Sequence, residues 1–250
     1  MLQLSSRERE IIRILSEDGT AAVTGISELL GVSAVTVRSD LKGLAGKGLI
    51  VRTRGGAFPA FHPAILERQK VMVEEKNRIA KAAADQVEDG DNIAIMAGTT
   101  TPLIVKYLLG KRDVHVVTNS TLVFPYARIN PALRVTIVGG EFRPSAEAIF
   151  GPDAVRGLER FHVRKAFLGA DGFSIEKGIT ADYVEAAEFV KVAALQSDQS
   201  TLLADSSKYG RAGFAQIMEL KGIDGIITDS GLPKAAAQEL EGCGLSVELV

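Results

Sequence analysis

The run Asn92-Ile93-Ala94-Ile95-Met96 empties into Ala97-Gly98-Thr99-Thr100-Thr101-Pro102. This is a place where an anion can sit. Gly98 lets backbone come close, and Thr99, Thr100 and Thr101 bring hydroxyls. Pro102 suits the first position of a helix, whose free N–H groups and dipole would face the loop. The lysine of a G-x-x-x-x-G-K-[ST] nucleotide loop is missing, so triphosphate chemistry is not implied and a phosphate group is the best-matched anion. Thr100 or Thr101 would serve equally as a plain helix cap.

Other apolar runs end in the same way. His115–Thr118 leads into Asn119-Ser120, an amide and a hydroxyl that can bind a polyol. Val135–Val138 leads into Gly139-Gly140, which permits close backbone approach or makes a tight turn. Ala166–Leu168 leads into Gly169-Ala170-Asp171-Gly172, and the Asp-Gly pair is most often a turn. Thr201–Ala204 leads into Asp205-Ser206-Ser207-Lys208. There Lys208 can bind phosphate, while Asp205 can bind a hydroxyl or pair with Lys208. Glu185 opens a helical stretch, where it can bind ligand or complement the dipole.

A second constellation lies nearer the N-terminus. Between Ser33 and Arg54 stand Arg38, Lys42, Lys47, Arg52 and Arg54, against one acid, Asp40. Such a bias suits a surface that faces phosphates. Ser33 caps a helix that starts Ala34-Val35-Thr36-Val37-Arg38, with Val37, Leu41 and Leu44 at inward-facing spacings. If this is the recognition helix of a helix-turn-helix, its first residues meet base edges. Ala34 and Thr36 are small enough for close approach, Arg38 and Lys42 reach bases or phosphates, and Arg52 and Arg54 flank a wing. A solvated basic helix in an ordinary three-helix unit would carry the same charges.

Three zones position these groups. Residues 1–56 read as helices followed by a ribbon. Ile11, Ile12 and Leu15 mark the first helix, which stops at Asp18-Gly19-Thr20. Ile26, Leu29 and Leu30 mark the second, and a strand over Leu49–Arg54 turns at Gly55-Gly56. Residues 57–76, with Pro59 and Pro63, read as a strandless linker that becomes helical near its end. Residues 77–250 alternate strands and helices, for example helices over Lys76–Val87 and Tyr183–Ser197. Apolar strands buried on both faces imply a mainly parallel sheet between helices. In such α/β sheets ligands bind beyond the carboxyl ends of the strands, where the polar tails converge.

Composition excludes several classes. With a net charge of -2, no bulk basicity announces nucleic acid, so any DNA contact must be local. The single cysteine, Cys243, rules out an internal disulfide and a cysteine zinc site, and reads as a small buried or half-buried residue. His62, His115 and His162 stand apart with no metal-ligand spacing, so no metal or cofactor is expected. The sequence shows no secretory pattern and no apolar run of membrane-spanning length, which points to the cytoplasm.

The run Gly31–Leu44, with Val32-Ser33-Ala34-Val35-Thr36-Val37-Arg38-Ser39-Asp40-Leu41, resembles the winged helix of the DeoR family of transcription regulators. So does Gly48–Ala57. The family usually has a second basic residue where Ser39 stands. Further stretches are similar to that family's sensor domain: Glu75-Lys76, Asp89-Gly90-Asp91, Gly98-Thr99-Thr100, Thr118-Asn119-Ser120, Gly139-Gly140-Glu141-Phe142, Lys165–Gly172 and Asp205–Gly210. Ala97 replaces a frequent serine and Arg164 a frequent aspartate. The resemblance implies an α/β chain with an N-terminal winged helix-turn-helix and a larger Rossmann-like sensor domain similar to ribose-5-phosphate isomerase. It also implies a repressor whose binding to double-stranded operator DNA is controlled by a sugar phosphate, acting as a homodimer or homotetramer. The alternative is a sugar-phosphate isomerase with an added N-terminal domain, using Asp171, Asp205, Glu185 and Lys208 for proton transfer.

Overall fold

The computed structural model describes residues 4–18 and 21–250. They form two compact units, one running to Val71 and including Pro144–Ala146, the other comprising Met72–Arg143 and Glu147–Val250.

In the first unit α1 (Ser6–Glu17) starts with a reciprocal capping box between Ser5 and Glu8. Helix α2 (Val23–Leu30) ends at Gly31, whose φ of 64° is the left-handed cap that glycine supplies. Helix α3 spans Ala34–Gly46. Their apolar stripes meet in one core in which Ile11, Leu15, Ile26, Val37, Leu41 and Leu44 are fully buried. The turn expected at Asp18-Gly19-Thr20 lies partly outside the described residues.

The wing corrects two expectations. Its first strand, β1 (Ile50–Arg52), is shorter than Leu49–Arg54, and β2 (Ala57–Pro59) falls in the stretch expected to hold no strand. The two pair antiparallel, Ile50 opposite Pro59 and Arg52 opposite Ala57. Pro59 is tolerated because a two-stranded ribbon is all edge. Helix α4 (Pro63–Lys70) follows, opened by Pro63 and capped by His62, whose Nδ1 accepts the Ala64 N–H.

The second unit begins with α5 (Val73–Asp85), which starts earlier than Lys76. Then come β3 (Asn92–Ile95), α6 (Ile104–Tyr107), β4 (His115–Thr118), α7 (Phe124–Ala127), β5 (Arg134–Ile137), β6 (Glu141–Arg143), β7 (Ala148–Phe150), α8 (Pro152–Leu158) and β8 (Val163–Leu168). The chain continues through β9 (Gly172–Ser174), β10 (Gly178–Ala181), α9 (Val184–Leu195), β11 (Ser197–Leu203), β12 (Ala215–Met218), β13 (Gly225–Thr228), α10 (Lys234–Gly242) and β14 (Ser246–Leu249). Cys243 is exposed, contrary to expectation: α10 stops at Gly242, so Cys243 leaves the face that buries Ala236, Ala237 and Leu240.

Seven strands form one sheet in the order β14-β13-β11-β8-β3-β4-β5, and every pairing in it is parallel. From β3 the chain winds outward through β4 to β5; from β8 it winds the other way. The switch point is therefore the junction of β3 and β8, where Ile93, Ala94 and Ile95 lie beside Lys165, Ala166 and Phe167. Two small antiparallel pieces, β6-β7 and β12-β10-β9, add to it. Their strands are too short for an alternating pattern to show in the sequence.

The amino-end side of the same junction is held by a buried charge. Asp91 accepts the Glu88 N–H at 2.9 Å, the Lys165 ammonium at 2.8 Å and the Arg164 guanidinium at 2.8 Å. Burial pushes its carboxyl up, but these donors overcome that and hold it below the usual carboxylate range.

Candidate functional site

Two sites follow, one in each unit. In the first, burial of Val37, Leu41 and Leu44 turns Val35, Arg38, Ser39 and Lys42 of α3 outward. Ala34 and Thr36 are half-buried. Ser33 Oγ accepts the Thr36 N–H at 3.1 Å and lies 2.8 Å from Thr36 Oγ1. Both hydroxyls thus serve the helix start. Arg7 of α1 grips Asp40 through Nε at 2.6 Å and Nη2 at 3.1 Å, so the one acid in this stretch is neutralised from below. Lys47 is drawn away to Glu8 at 2.6 Å, and this bond holds Glu8 below its ordinary range. Arg38, Lys42, Arg52 and Arg54 remain exposed as the cationic face.

The wing is stitched to the start of α2. Val23 N–H donates to Gly55 O at 3.0 Å, and Ala22 bridges Gly56. A Cβ on Gly56 would lie 2.8 Å from Ala21 O, so only glycine allows this approach. The result is a recess of about 320 Å³ lined by Thr24, Arg38, Arg52 and Thr53 among others. No side chain caps α2; Gly55 O takes the Val23 N–H, and the N–H groups of the rest of the first turn start beside the same recess, which Thr24 lines. Two guanidiniums and a helix N-terminus suit a phosphate. Thr24 and Thr53 were not foreseen; only the fold of the wing over α2 brings them to Arg38.

The second site lies at the carboxyl ends of β3 and β8. A Cβ on Gly169 would lie 3.1 Å from Ala97 O and 3.9 Å from Thr101 Oγ1, so the loops after these strands touch. Lys208 joins them by donating from Nζ to Ala170 O. The Gly98–Thr101 loop departs from expectation in two ways. It leads into a 3₁₀ turn, Thr101–Leu103, and then the single turn of α6, so the dipole behind it is short. Neither threonine caps by side chain: Thr101 Oγ1 donates to Met96 O at 2.6 Å, and Thr100 Oγ1 is buried with no hydrogen-bond partner. A buried hydroxyl left unpaired is unfavourable unless something else completes it.

The remaining expected residues divide. Asn119 is buried and works as a tie, its Oδ1 accepting Ala97 N–H at 2.9 Å and its Nδ2 donating to Ile149 O at 3.1 Å. Ser120 Oγ accepts Leu122 N–H at 3.3 Å. Asp171 Oδ2 accepts Asp182 N–H at 2.9 Å, a tie across the β9–β10 hairpin, and Gly172 already begins β9. Asp205 is buried, with Ser207 Oγ donating to it. Gly140 and Gly172 answer to packing: a Cβ would lie 2.5 Å from Phe150 O and 2.3 Å from Arg211 O, respectively. Gly139 is exposed. Glu185 pairs with Arg143 at 2.7 Å, which lowers the carboxyl and raises the guanidinium.

Several positioning residues were missed. Arg143 also lies over the Tyr183 ring, 4.8 Å from its centroid. Asp229 accepts Ser206 N–H at 2.6 Å, Ser206 Oγ at 2.8 Å and Gly231 N–H at 2.9 Å, fixing the turn that carries Lys208. Lys76 is buried in α5, which packs on the Thr101–Leu103 turn. Asp229 had a signal, since Thr228-Asp229 ends a strand as Asp205 does, and Lys76 stands in a stretch similar to the family's sensor domain; Arg143 had none. Among the described residues no three His, Cys, Asp or Glu side chains gather as metal ligands, and no helix is long and apolar enough to cross a membrane.

Family comparisons agree with this two-part layout. A DeoR-like helix-turn-helix domain matches residues 7–59, and a DeoR C terminal sensor domain matches residues 71–230. The HTH-type transcriptional repressor GlcR of Bacillus subtilis is 35% identical over 92% of this chain and 90% of its own length. The lactose phosphotransferase system repressor of Streptococcus mutans is 33% identical over 91% and 93%. Among solved structures, ribose 5-phosphate isomerase from Plasmodium falciparum aligns with a TM-score of 0.39 at 18% identity, covering 56% of this chain and 54% of that one. The full-length relatives are regulators, which sets the isomerase alternative aside: this chain belongs to the DeoR family of transcription regulators.

Proposed function

We propose that the chain is a repressor of sugar-metabolism genes whose grip on double-stranded operator DNA is set by a phosphorylated sugar or polyol. It works in the cytoplasm as a homodimer or homotetramer, so that repeated DNA-binding units read repeated half-sites. Ala34, Arg38 and Lys42 address the major groove, with Ser33 and Thr36 shaping the helix start. Arg52 and Arg54 hold the backbone. In the second unit Gly98, Thr99, Thr100 and Thr101 cradle the phosphate with Lys208. Asn119, Ser120, Asp171 and Asp205 line the sugar side, while Gly139, Gly140, Gly172 and Glu185 shape the rim.

The observation that carries the effector reading is the buried, unpaired Thr100 hydroxyl in a loop at the sheet's switch point, with the loop that receives Lys208 beside it. A ligand changes DNA affinity only by binding one arrangement of the protein better than another. The test is a thermal-shift panel of sugar phosphates and their unphosphorylated parents on the full chain, followed by DNA-binding titrations with each hit. One phosphorylated sugar raises the melting temperature by mass action, its parent does not, and it alters DNA affinity. A parent sugar that shifts the melt as strongly as its phosphate would refute the phosphate cradle.

A further inference from the structure

We propose that Val35 is a specificity-determining residue, its exposed isopropyl group packing on the C5-methyl of a thymine in the major groove. This rests on the reading of α3 as the helix that enters DNA and names a base feature that it selects.

Placement comes first. Val35 is 73% exposed, while Val37 two residues on is 0% exposed. At 3.6 residues per turn, those two positions lie about 200° apart around the axis. Val35 therefore stands on the line opposite the core, with Ser39 and Lys42 one and two turns further along and Arg38 beside it. All four are exposed.

Chemistry comes next. In the first turn of α3 the polar groups are engaged: Ser33 Oγ takes the Thr36 N–H and lies 2.8 Å from Thr36 Oγ1. Ala34 has nothing to donate. The group that projects outward from this turn is thus apolar, and it cannot hydrogen-bond a base edge. Of the features that the four base pairs show in the major groove, only the thymine methyl is apolar. The fold supplies no competing reason for valine here. A β-branched side chain on an exposed helix position is less favourable than alanine and adds nothing to the core.

The experiment uses the full-length protein and a random duplex library. Sequences enriched by binding are remade with deoxyuridine in place of each thymine in turn, which removes one methyl and nothing else. Parent, Val35→Ala and, as a control, Lys42→Ala are titrated on each duplex. At one thymine per half-site the parent loses affinity by about fourfold on uridine, the scale of one methyl removed from an apolar contact. Val35→Ala binds the thymine duplex more weakly and is indifferent to uridine there, while Lys42→Ala keeps the full uridine effect. A parent indifferent to uridine at every position, or a Val35→Ala variant as sensitive as the parent, overturns the proposal. Failure to enrich any sequence would instead bring down the DNA-binding reading itself, and this proposal with it. Val35→Ala is expected to fold, because the position is exposed and alanine is the better helix former.

Discussion

Asp229→Asn keeps the shape of the side chain and one of its oxygens. In the parent, Oδ2 holds Ser206 N–H at 2.6 Å, and Oδ1 holds both the Ser206 hydroxyl at 2.8 Å and Gly231 N–H at 2.9 Å. In either orientation of the amide, its NH2 group points at a backbone N–H. One donor is left unpaired in a buried place, which costs about 1–3 kcal/mol, and the surviving bonds lose their charge assistance. The sum is a destabilisation of about 2–4 kcal/mol, or on the order of 10 °C in melting temperature for a unit of this size. Urea unfolding of the full chain measures it as a lower midpoint with an unchanged slope. The pH dependence adds a second reading. Burial pushes the Asp229 carboxyl up, but the Ser206 and Gly231 donors more than offset this and hold it below the usual range. The folded chain therefore binds this proton less readily than the unfolded chain. The contribution is complete above the unfolded value near ~3.9 and is lost as pH falls through the folded value. The gap between parent and variant should close over that acid range. A variant within about 0.5 kcal/mol of the parent at neutral pH would refute the view that this carboxylate fixes the turn bearing Lys208.

Further perturbations separate the two sites. Lys208→Met should abolish the thermal shift given by a sugar phosphate while leaving DNA affinity without effector unchanged; a retained shift would remove Lys208 from the cradle. Arg38→Ala should weaken DNA binding with the melt unchanged, and should lower the slope of log affinity against log salt by about 1 if Arg38 meets a phosphate. Gly140→Ala should cost about 1–3 kcal/mol, since its Cβ would press on Phe150 O. Gly139→Ala next door should be within about 0.5 kcal/mol of the parent, because nothing lies within 4 Å of its Cβ. Equal effects at both glycines in thermal melts would contradict the packing account.

Much of the scaffold was legible residue by residue. Ile11, Ile12 and Leu15, and then Val37, Leu41 and Leu44, repeat at helical spacing, and local backbone geometry alone forces them to one side. Ser33 announces a cap because its hydroxyl reaches only its own next turn. The strands before Gly98, Asn119, Gly169 and Asp205 were visible because burial on both faces demands unbroken apolar runs. The wing's second strand was hidden, because three residues containing a proline carry no period. Glu185 shows the same limit at the second site: sequence brings it to a helix start, but its partner Arg143 is 42 positions away.

The sequence by itself determined the three N-terminal helices, the buried strands that lead into Gly98, Asn119, Gly139, Gly169 and Asp205, and which face of α3 is apolar, because these depend on near neighbours and on period. Only the tertiary structure decided that β8 lies beside β3, that Asn119 ties Ala97 to Ile149, that Asp229 sits under the Lys208 turn and that Gly56 closes the wing onto α2. Those pairings join residues far apart in the chain. They are settled by which surfaces pack without voids and which buried donors find acceptors, and neither is written in local spacing.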